Sequence, residues 1–328
     1  MVLFQRDLKE EISDLYKWVK EFITEDIWHL DLDDFSRASA RLLKYLKIAI
    51  ITFKEIGHLR LGLYAVSLSF FTVMALVPFI AVSFAVTGGL GLKDTLHELL
   101  LESTADNKQF MEYIISFANN IIESSTKDIF GIISFVIFTG TVLWVMLNVE
   151  QAFNRIWKVE RGRSIPKRLL YYIGILAVAP LMIVVFLSIS QFFTDAINSH
   201  GIGFLRDAGL FVQISVFYSI IILTFTIMYK YIPSVKVNMG AAFWAAVIAG
   251  SVFVGMQYLY MGTQIFVTRL NAVYGAFAAL PLFLIWVNIS WTIILVGAEI
   301  SHANQYVDSY NTNSDKELEK EVQKRLKL

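Results

Sequence analysis

The chain of 328 residues is 56% hydrophobic and only 17% charged, and its mean hydropathy is +0.58. This is more apolar than a soluble domain of this size needs to fill its core, so the composition indicates a membrane protein. The formal net charge is zero, which argues against a protein that holds nucleic acid by its overall charge. The absence of cysteine excludes disulfides, thiolate nucleophiles and cysteine-ligated metals.

Residues 1–60 are amphipathic, and acidic residues interrupt the first 30, so we expect a retained N-terminus without a cleaved signal peptide. Over 37–57 the sequence predicts a helix with an apolar face and a basic face. The apolar face holds Leu42, Leu46, Ala49, Phe53 and Ile56, and the basic face holds Arg37, Arg41, Lys44, Lys47 and Lys54. This pattern is typical of a helix at the membrane interface beside anionic headgroups, and it equally fits a helix packed on the protein.

An acidic cluster, "LDLDDF", precedes this helix and contains Asp31, Asp33 and Asp34. Such a cluster occurs in metal-dependent nucleases. However, Asp34 or Ser36 is well placed to cap the following helix, and acidic charges suit the positive end of its dipole. We therefore expect the cluster to cap the helix.

Six apolar stretches between residues 61 and 305 are each long enough to cross a bilayer as a helix. They cover approximately 62–92, 129–149, 169–193, 208–229, 239–261 and 274–298. Apolar residues at helical spacing within 93–128 predict an outer helix between the first two spans. The sequence thus predicts an all-α, polytopic protein with amphipathic helices over 1–60, a six-helix membrane domain over 61–305, and a charged tail over 306–328.

Lysine and arginine concentrate before the first span, in the connections 2–3 and 4–5, and after the sixth span. The positive-inside rule places these segments and both termini in the cytoplasm. We therefore expect a multi-pass membrane protein with cytoplasmic termini, with membrane lipids as partners and no nucleic acid.

Prolines fall within three predicted spans, at Pro78, Pro180 and Pro281. Each can kink or break its helix, and broken helices often line transport sites, although proline is also common in membrane helices. In the fifth span Ala242, Ala246 and Gly250 predict close contact with another helix.

Polar amides also occur in the spans. Gln257 and Gln264 share one face of the fifth span, and Gln191 and Gln213 lie in the third and fourth. Each amide could bond a neighbouring helix or line a polar path.

Ionisable groups near the membrane edge are Glu150, which ends the second predicted span, and Glu299 with His302, at the end of the sixth. A glutamate and a histidine at i,i+3 could relay protons or bind a metal, and pairing with nearby arginines is the structural alternative. The sequence contains no phosphate-binding glycine loop, HExxH motif or nucleophile elbow. We therefore expect no catalytic site, bound metal or cofactor.

The stretch "VMLNVEQAFNRIWKVERGRSIPKR", from Val145 to Arg168, changes from apolar to basic within a few residues. On a helix, its polar arc holds Asn148, Gln151, Asn154, Arg155 and Lys158, and its apolar arc holds Val149, Phe153, Ile156 and Trp157. We expect an amphipathic extension of the second span with Trp157 at interface depth, and Pro166 in the first turn of the third span.

Four motifs in order resemble the YihY/virulence factor BrkB family of bacterial inner-membrane proteins, once labelled ribonuclease BN. They are "SLSFFTVMALVPF" (67–79), "NVEQAFNRIWKVE" (148–160), "YKYIPSVKV" (229–237) and "NAVYGAFAALPLFLIWVNISWTIILVGAE" (271–299). The similarity covers roughly 37–305, and one departure is Ser301, where the family usually has asparagine. The resemblance implies a six-span helical fold in the bacterial cytoplasmic (inner) membrane. It also implies links to envelope lipid transport, with envelope lipid-transport proteins as further partners.

We therefore expect a non-enzymatic protein that moves, or helps to move, an amphipathic anionic substrate such as a phospholipid. Arg155 would contact a headgroup phosphate, Glu150 would orient it and Gln257 would line the path. The full candidate set is Asn148, Glu150, Gln151, Asn154, Arg155, Gln257, Tyr274 and Glu299. The alternatives are an ion- or proton-coupled transporter that titrates Glu299 and His302, and a membrane-bound ribonuclease.

Overall fold

The computed structural model describes residues 17–18, 21–30, 35–103, 112, 115–116, 119–120, 129–199, 203–274 and 279–326. Within them the chain forms eight main helices, preceded by a π-helical turn, Phe22–Asp26, and a single turn, Ile27–His29. The eight are α1 Arg37–Leu59, α2 Leu61–Gly89, α3 Lys93–Ser103, α4 Ile129–Ile156, α5 Ile165–Ser199, α6 Gly203–Tyr231, α7 Met239–Tyr274 and α8 Ala279–Leu326. The predicted all-helical class is confirmed for these residues.

Six of the helices are long and apolar enough to cross a membrane, as predicted. The candidate spans are Leu61–Gly89, Val136–Ile156, Ile165–Ile189, Ile214–Tyr231, Met239–Thr263 and Pro281–Val307. The sixth begins and ends later than the sequence predicted. Glu299 and His302 therefore lie within the sixth candidate span, not at its end, and α8 continues beyond it to Leu326. Within 93–128 the structure describes the helix α3, whereas most of residues 110–121, whose apolar spacing predicted the outer helix, lie outside the described residues.

The prolines could kink or break their helices, and the structure shows no break at Pro78 or Pro180. Pro78 lies inside α2 and Pro180 inside α5, and both helices continue through them. Pro281 is the third residue of α8, where its missing N–H has no partner to lose within the helix. A single proline removes one hydrogen bond from a helix of about 30 residues, which packing against neighbours can offset.

The chain divides into two compact units, and each contains its own apolar core. The first unit combines the chain up to Arg60 with the chain from Ala298 onwards, and its core is formed by Ile27, Trp28, Ile48, Ile51, Ala303 and Val307. The second unit, Leu61–Gly297, contains the junction between α4 and α5 that the sequence singled out.

Small residues bring the helices of the second unit into close contact, as predicted for the fifth span. Ala242 and Ala246 of α7 are fully buried, and a Cβ at Gly250 would lie 3.4 Å from the Ile222 side chain of α6. Further along, Gly297 of α8 lies beneath Tyr229 of α6, and a side chain at Gly297 would overlap the tyrosine hydroxyl. Only glycine fits between these two helices at that point.

The start of α1 confirms one of the two predicted caps. The Ser36 Oγ accepts a hydrogen bond of 3.3 Å from the Ser39 N–H, which satisfies one of the unpaired N–H groups at the helix start. Asp31, Asp33 and Asp34 lie outside the described residues.

Candidate functional site

Glu150 lies one and a half turns before the end of α4 and is buried, with 1% of its surface exposed. The apolar arc predicted for this part of α4 faces the protein interior, since Val149, Phe153 and Ile156 are all buried. Trp157 is buried too, at 4% exposed, so the arc packs against protein over its whole length. The depth of Trp157 in the membrane stays a prediction.

The chain turns sharply after α4, and this turn brings the next helix back to Glu150. Lys158 has a left-handed backbone with φ of 49°, and the Val159 N–H bonds the Asn154 carbonyl across the turn at 2.9 Å. Left-handed residues at a helix end usually terminate it in this way. Gly162 follows, where a Cβ would lie 2.8 Å from the Arg168 guanidinium, so the loop passes too close for a larger residue without a shift.

The first turns of α5 supply two partners of Glu150, Arg168 and Tyr172, which are four residues apart and therefore on one helix face. Arg168 Nε and Nη2 each lie 3.2 Å from Glu150 Oε1. The Tyr172 hydroxyl donates to Oε2 at 2.5 Å. Pro166 is the second residue of α5, as predicted for a first-turn proline.

The connection between α6 and α7 supplies the third partner, Ser234. Its hydroxyl donates to Glu150 Oε1 at 3.1 Å. The Asn154 amide bonds the same serine twice: Nδ2 donates to Ser234 Oγ at 3.0 Å, and Oδ1 accepts from the Ser234 N–H at 2.8 Å. Two residues one turn apart on α4 thus hold a segment 80 residues further along the chain.

Arg163 secures the same connection from the other side. Its guanidinium donates to the carbonyl oxygens of Tyr231, Ile232 and Pro233 at 2.7, 2.9 and 2.7 Å. These carbonyls lie at and just beyond the C-terminal end of α6, where backbone acceptors lack helical partners and a cation is favoured. The guanidinium also lies 4.6 Å from the centre of the Tyr171 ring and 4.0 Å from Glu150 Oε2.

We call Glu150, Asn154, Arg163, Arg168, Tyr172 and Ser234 the junction node. Its buried carboxylate is shared by two guanidiniums, so the desolvation cost of the charge is offset by ion pairing and charge-assisted hydrogen bonds. Both oxygens of Glu150 accept from protein donors. Glu150 is therefore better placed to anchor two interhelical connections than to orient a ligand.

The predicted polar arc is divided by the structure. Asn154 is held in the node beside Glu150, whereas Gln151 and Arg155 are exposed. Asn148 uses its amide within its own helix, donating to the Trp144 carbonyl at 2.8 Å.

Gln257 lies apart from the node, between α7 and α8. Its Oε1 accepts from the Trp286 indole N–H at 3.0 Å, and the indole stacks with Tyr260 and Phe283. This is the interhelical bond that was one of the two interpretations of this residue. The side chains of Tyr274, Gln264, Gln191 and Gln213 lie outside the described residues.

Glu299 and His302 belong to the other unit, and both are buried. Glu299 Oε1 lies 3.3 Å from His302 Nδ1, as their spacing of three residues predicts, and the histidine ring lies 5.2 Å from that of Tyr306. Among the described residues, no group of three or more His, Asp or Glu side chains is arranged to hold a metal ion. Ser301, the departure from the family pattern, is fully buried.

Sequence reasoning missed four members of the node: Arg163, Arg168, Tyr172 and Ser234. The two arginines were counted among the basic residues that set the topology, and neither Tyr172 nor Ser234 was among the candidate residues. One available signal was the spacing of Arg168 and Tyr172 on one face of α5. Another was that "NVEQAFNRIWKVE" and "YKYIPSVKV", which contribute Glu150 and Ser234, occur together in one pattern.

Comparison with known proteins places the chain among bacterial membrane proteins. The family model described as virulence factor BrkB matches residues 52–322. A UPF0761 membrane protein of Paraburkholderia xenovorans (strain LB400) is 32% identical over 257 residues, covering 74% of this chain and 56% of the relative. A UPF0761 membrane protein of Psychrobacter sp. (strain PRwf-1) is 30% identical over 246 residues, covering 73% and 44%. The chain spans about half the length of these relatives. No solved structure matches it.

Proposed function

Because the chain belongs to the virulence factor BrkB family of multi-pass membrane proteins, we propose that it moves, or helps to move, an amphipathic anionic substrate such as a phospholipid. We further propose that it does so in the bacterial inner membrane with both termini in the cytoplasm. The distribution of lysine and arginine supports this orientation. Lipids are the proposed partners, together with envelope lipid-transport proteins.

The observation that carries the proposal is a contrast between two sets of basic residues near the ends of α4 and α5: those bound within the node and those exposed to the surroundings. Within the node, Arg168 forms an ion pair with Glu150, and Arg163 donates hydrogen bonds to backbone carbonyls. Arg155, Arg161 and Lys167 remain exposed at the facing ends of α4 and α5. A phosphate at the membrane edge would meet these cations, and arginine can bind it through two parallel hydrogen bonds.

The roles proposed for individual residues follow from these positions. Arg155 contacts the headgroup phosphate, with exposed Gln151 beside it. Glu150 acts indirectly, because its carboxylate binds Arg168 at the start of α5, next to Lys167 and close to the loop that carries Arg161. Asn148, Tyr274 and Glu299 stay in the candidate set as sequence-based predictions.

The test is lipid movement in vesicles that contain the purified protein. A fluorescent phosphatidylglycerol analogue is placed in one leaflet, and its transfer is followed by quenching with an impermeant reductant. Arg155→Ala combined with Gln257→Ala should slow the transfer severalfold. The matched control is Lys93→Ala on α3, which also removes one positive charge and should transfer at the parent rate. Unchanged transfer in the double variant would argue strongly against the site.

A second candidate function is proton-coupled transport of a small solute, favoured by the buried Glu299–His302 pair. Histidine and carboxylate side chains held together within a membrane helix are common components of proton pathways. The experiment is proton flux into vesicles under a pH gradient. Flux that is unaffected by Glu299→Gln would remove this candidate.

The proposal assigns no catalytic step to the chain, since the sequence contains no phosphate-binding glycine loop, HExxH motif or nucleophile elbow. Purified protein incubated with RNA and Mg²⁺ is expected to leave the RNA intact. Degradation that persists after the protein has been purified by two independent affinity tags would support the ribonuclease alternative instead.

A further inference from the structure

The helix α1 packs on its own unit through a face that the sequence did not predict to be buried. The buried residues of α1 are Lys47, Ile48, Ile51 and Thr52. Ile48 and Ile51 join the core of the first unit, and Lys47 donates from Nζ to the Leu30 carbonyl at 3.1 Å. Lys47 belongs to the predicted basic face and is nevertheless buried, because its ammonium donates to a backbone acceptor.

The predicted apolar face of α1 is exposed instead. Leu42, Leu46 and Phe53 are 73%, 44% and 77% exposed. Their spacing of four and seven residues places them along one side of the helix, opposite the buried face. We call these three residues the apolar strip. A large apolar surface on the side away from the core indicates a second apolar neighbour.

The position of α1 in the chain limits what that neighbour can be. α1 ends at Leu59, and a candidate membrane span begins at Leu61. The apolar strip therefore lies shortly before a span in the chain, and its last residue, Phe53, precedes the span by about two helical turns. α1 is not itself among the candidate spans, and basic residues recur along it. A charged amphipathic helix joined directly to a span is typical of one that lies in the headgroup region.

The charges at the start of α1 point the same way. Arg37 and Arg41 are exposed in its first turns, and the first turn contains no acidic residue. The positive end of a helix dipole disfavours cations at this location. Anionic lipid headgroups attract them by about 1 kcal/mol for each basic residue near the surface.

We propose that α1 binds the surface of an anionic bilayer, with the apolar strip among the upper parts of the acyl chains and with Arg37 and Arg41 at headgroup phosphates. The inference goes beyond the proposed function, since it requires no transported substrate. It assigns the two faces of α1 to two different neighbours: its own core and the lipid.

The absence of cysteine in the chain makes a direct test simple. Single cysteines replace Leu42, Leu46 and Phe53 in turn, and each carries a nitroxide spin label in the full chain, reconstituted in vesicles containing phosphatidylglycerol. Lys54 is the matched control position, because it is exposed, adjacent to Phe53 and on a different side of the helix. Labels on the apolar strip should be several-fold more accessible to oxygen than to a water-soluble nickel complex, and the label at position 54 should show the reverse.

Two outcomes would overturn the proposal. Labels on the strip that are as accessible to nickel as the label at position 54 would show that water covers the strip. Dipolar broadening between labels on different copies would show that a second copy covers it. The charges are tested by Arg37→Gln with Arg41→Gln: the label at position 46 should become shallower in anionic vesicles and stay unchanged in neutral ones. An unchanged depth in both would contradict the assignment of these arginines to headgroups.

Discussion

Two buried glutamates, one in each unit, are held in different ways. Glu150 collects donors from segments 18, 22 and 84 residues away, namely Arg168, Tyr172 and Ser234. Glu299 lies 3.3 Å from His302, three residues along the same helix. The first carboxylate therefore fixes connections between helices, whereas the contact of the second with His302 is local to α8. A change at Glu150 should affect the whole second unit, and a change at Glu299 should have a smaller effect.

The largest expected effect is that of Glu150→Ala. The substitution leaves Arg168 and Arg163 beside an empty site and removes an acceptor from Tyr172 and Ser234. Breaking a buried ion pair costs about 3 kcal/mol at the lower end of the usual range, which applies here because both arginines are partly exposed, at 23% and 17%. The measurement is unfolding by SDS in mixed micelles, followed by tryptophan fluorescence.

The control for this variant is Gln151→Ala, the next residue of α4, whose side chain is exposed. It should unfold at the same SDS fraction as the parent chain. If Glu150→Ala does so as well, the node does not hold the second unit together.

A smaller loss is expected from Asn154→Ala, about 2 kcal/mol, because it leaves the Ser234 N–H without its acceptor in a partly buried place. Since Asn154 and Ser234 contact each other, their substitutions should not be additive. In a double-mutant cycle, Ser234→Ala should cost less in the Asn154→Ala background than in the parent chain. Additive losses would show that the two residues stabilise the protein independently.

The comparison of the two glutamates also shows how far the sequence could be interpreted. Local periodicity predicts the six spans, the helix α1, the Ser36 cap and the spacing of Glu299 and His302, because each depends on residues within a few turns. The contacts of Glu150 with Ser234 and of Arg163 with residues 231–233 close loops of about 70 to 84 residues. Such contacts are decided by the packing of whole helices, which leaves no local pattern.

The neighbours of the α1 faces could not be predicted for a related reason. The sequence left lipid and protein open as neighbours of the apolar face, and in the structure the less apolar face packs on the protein core. The sequence pattern records that the face is apolar and does not distinguish protein from lipid as its neighbour.

The matched substitution at the other glutamate, Glu299→Gln, should cost about 1 kcal/mol, because the amide keeps the shape and can still bond His302. The same change at Glu150 removes a charge that two arginines share and should cost more. Both variants are compared in the same SDS titration. Equal losses would contradict the view that Glu150 connects distant segments and that the Glu299–His302 contact acts locally.

The smallest effect on stability is expected at Arg155, and it separates the two interpretations of the polar arc. Arg155 and Arg168 have the same side chain, but Arg168 lies on Glu150 and Arg155 is exposed. Arg168→Ala should therefore lower the SDS midpoint, and Arg155→Ala should leave it unchanged, since isolated exposed charges contribute little to folding. An unchanged midpoint together with slower lipid transfer would assign Arg155 to the substrate. A lowered midpoint would instead make Arg155 part of the structure that holds α4 and α5 together, and the headgroup role would lose its main support.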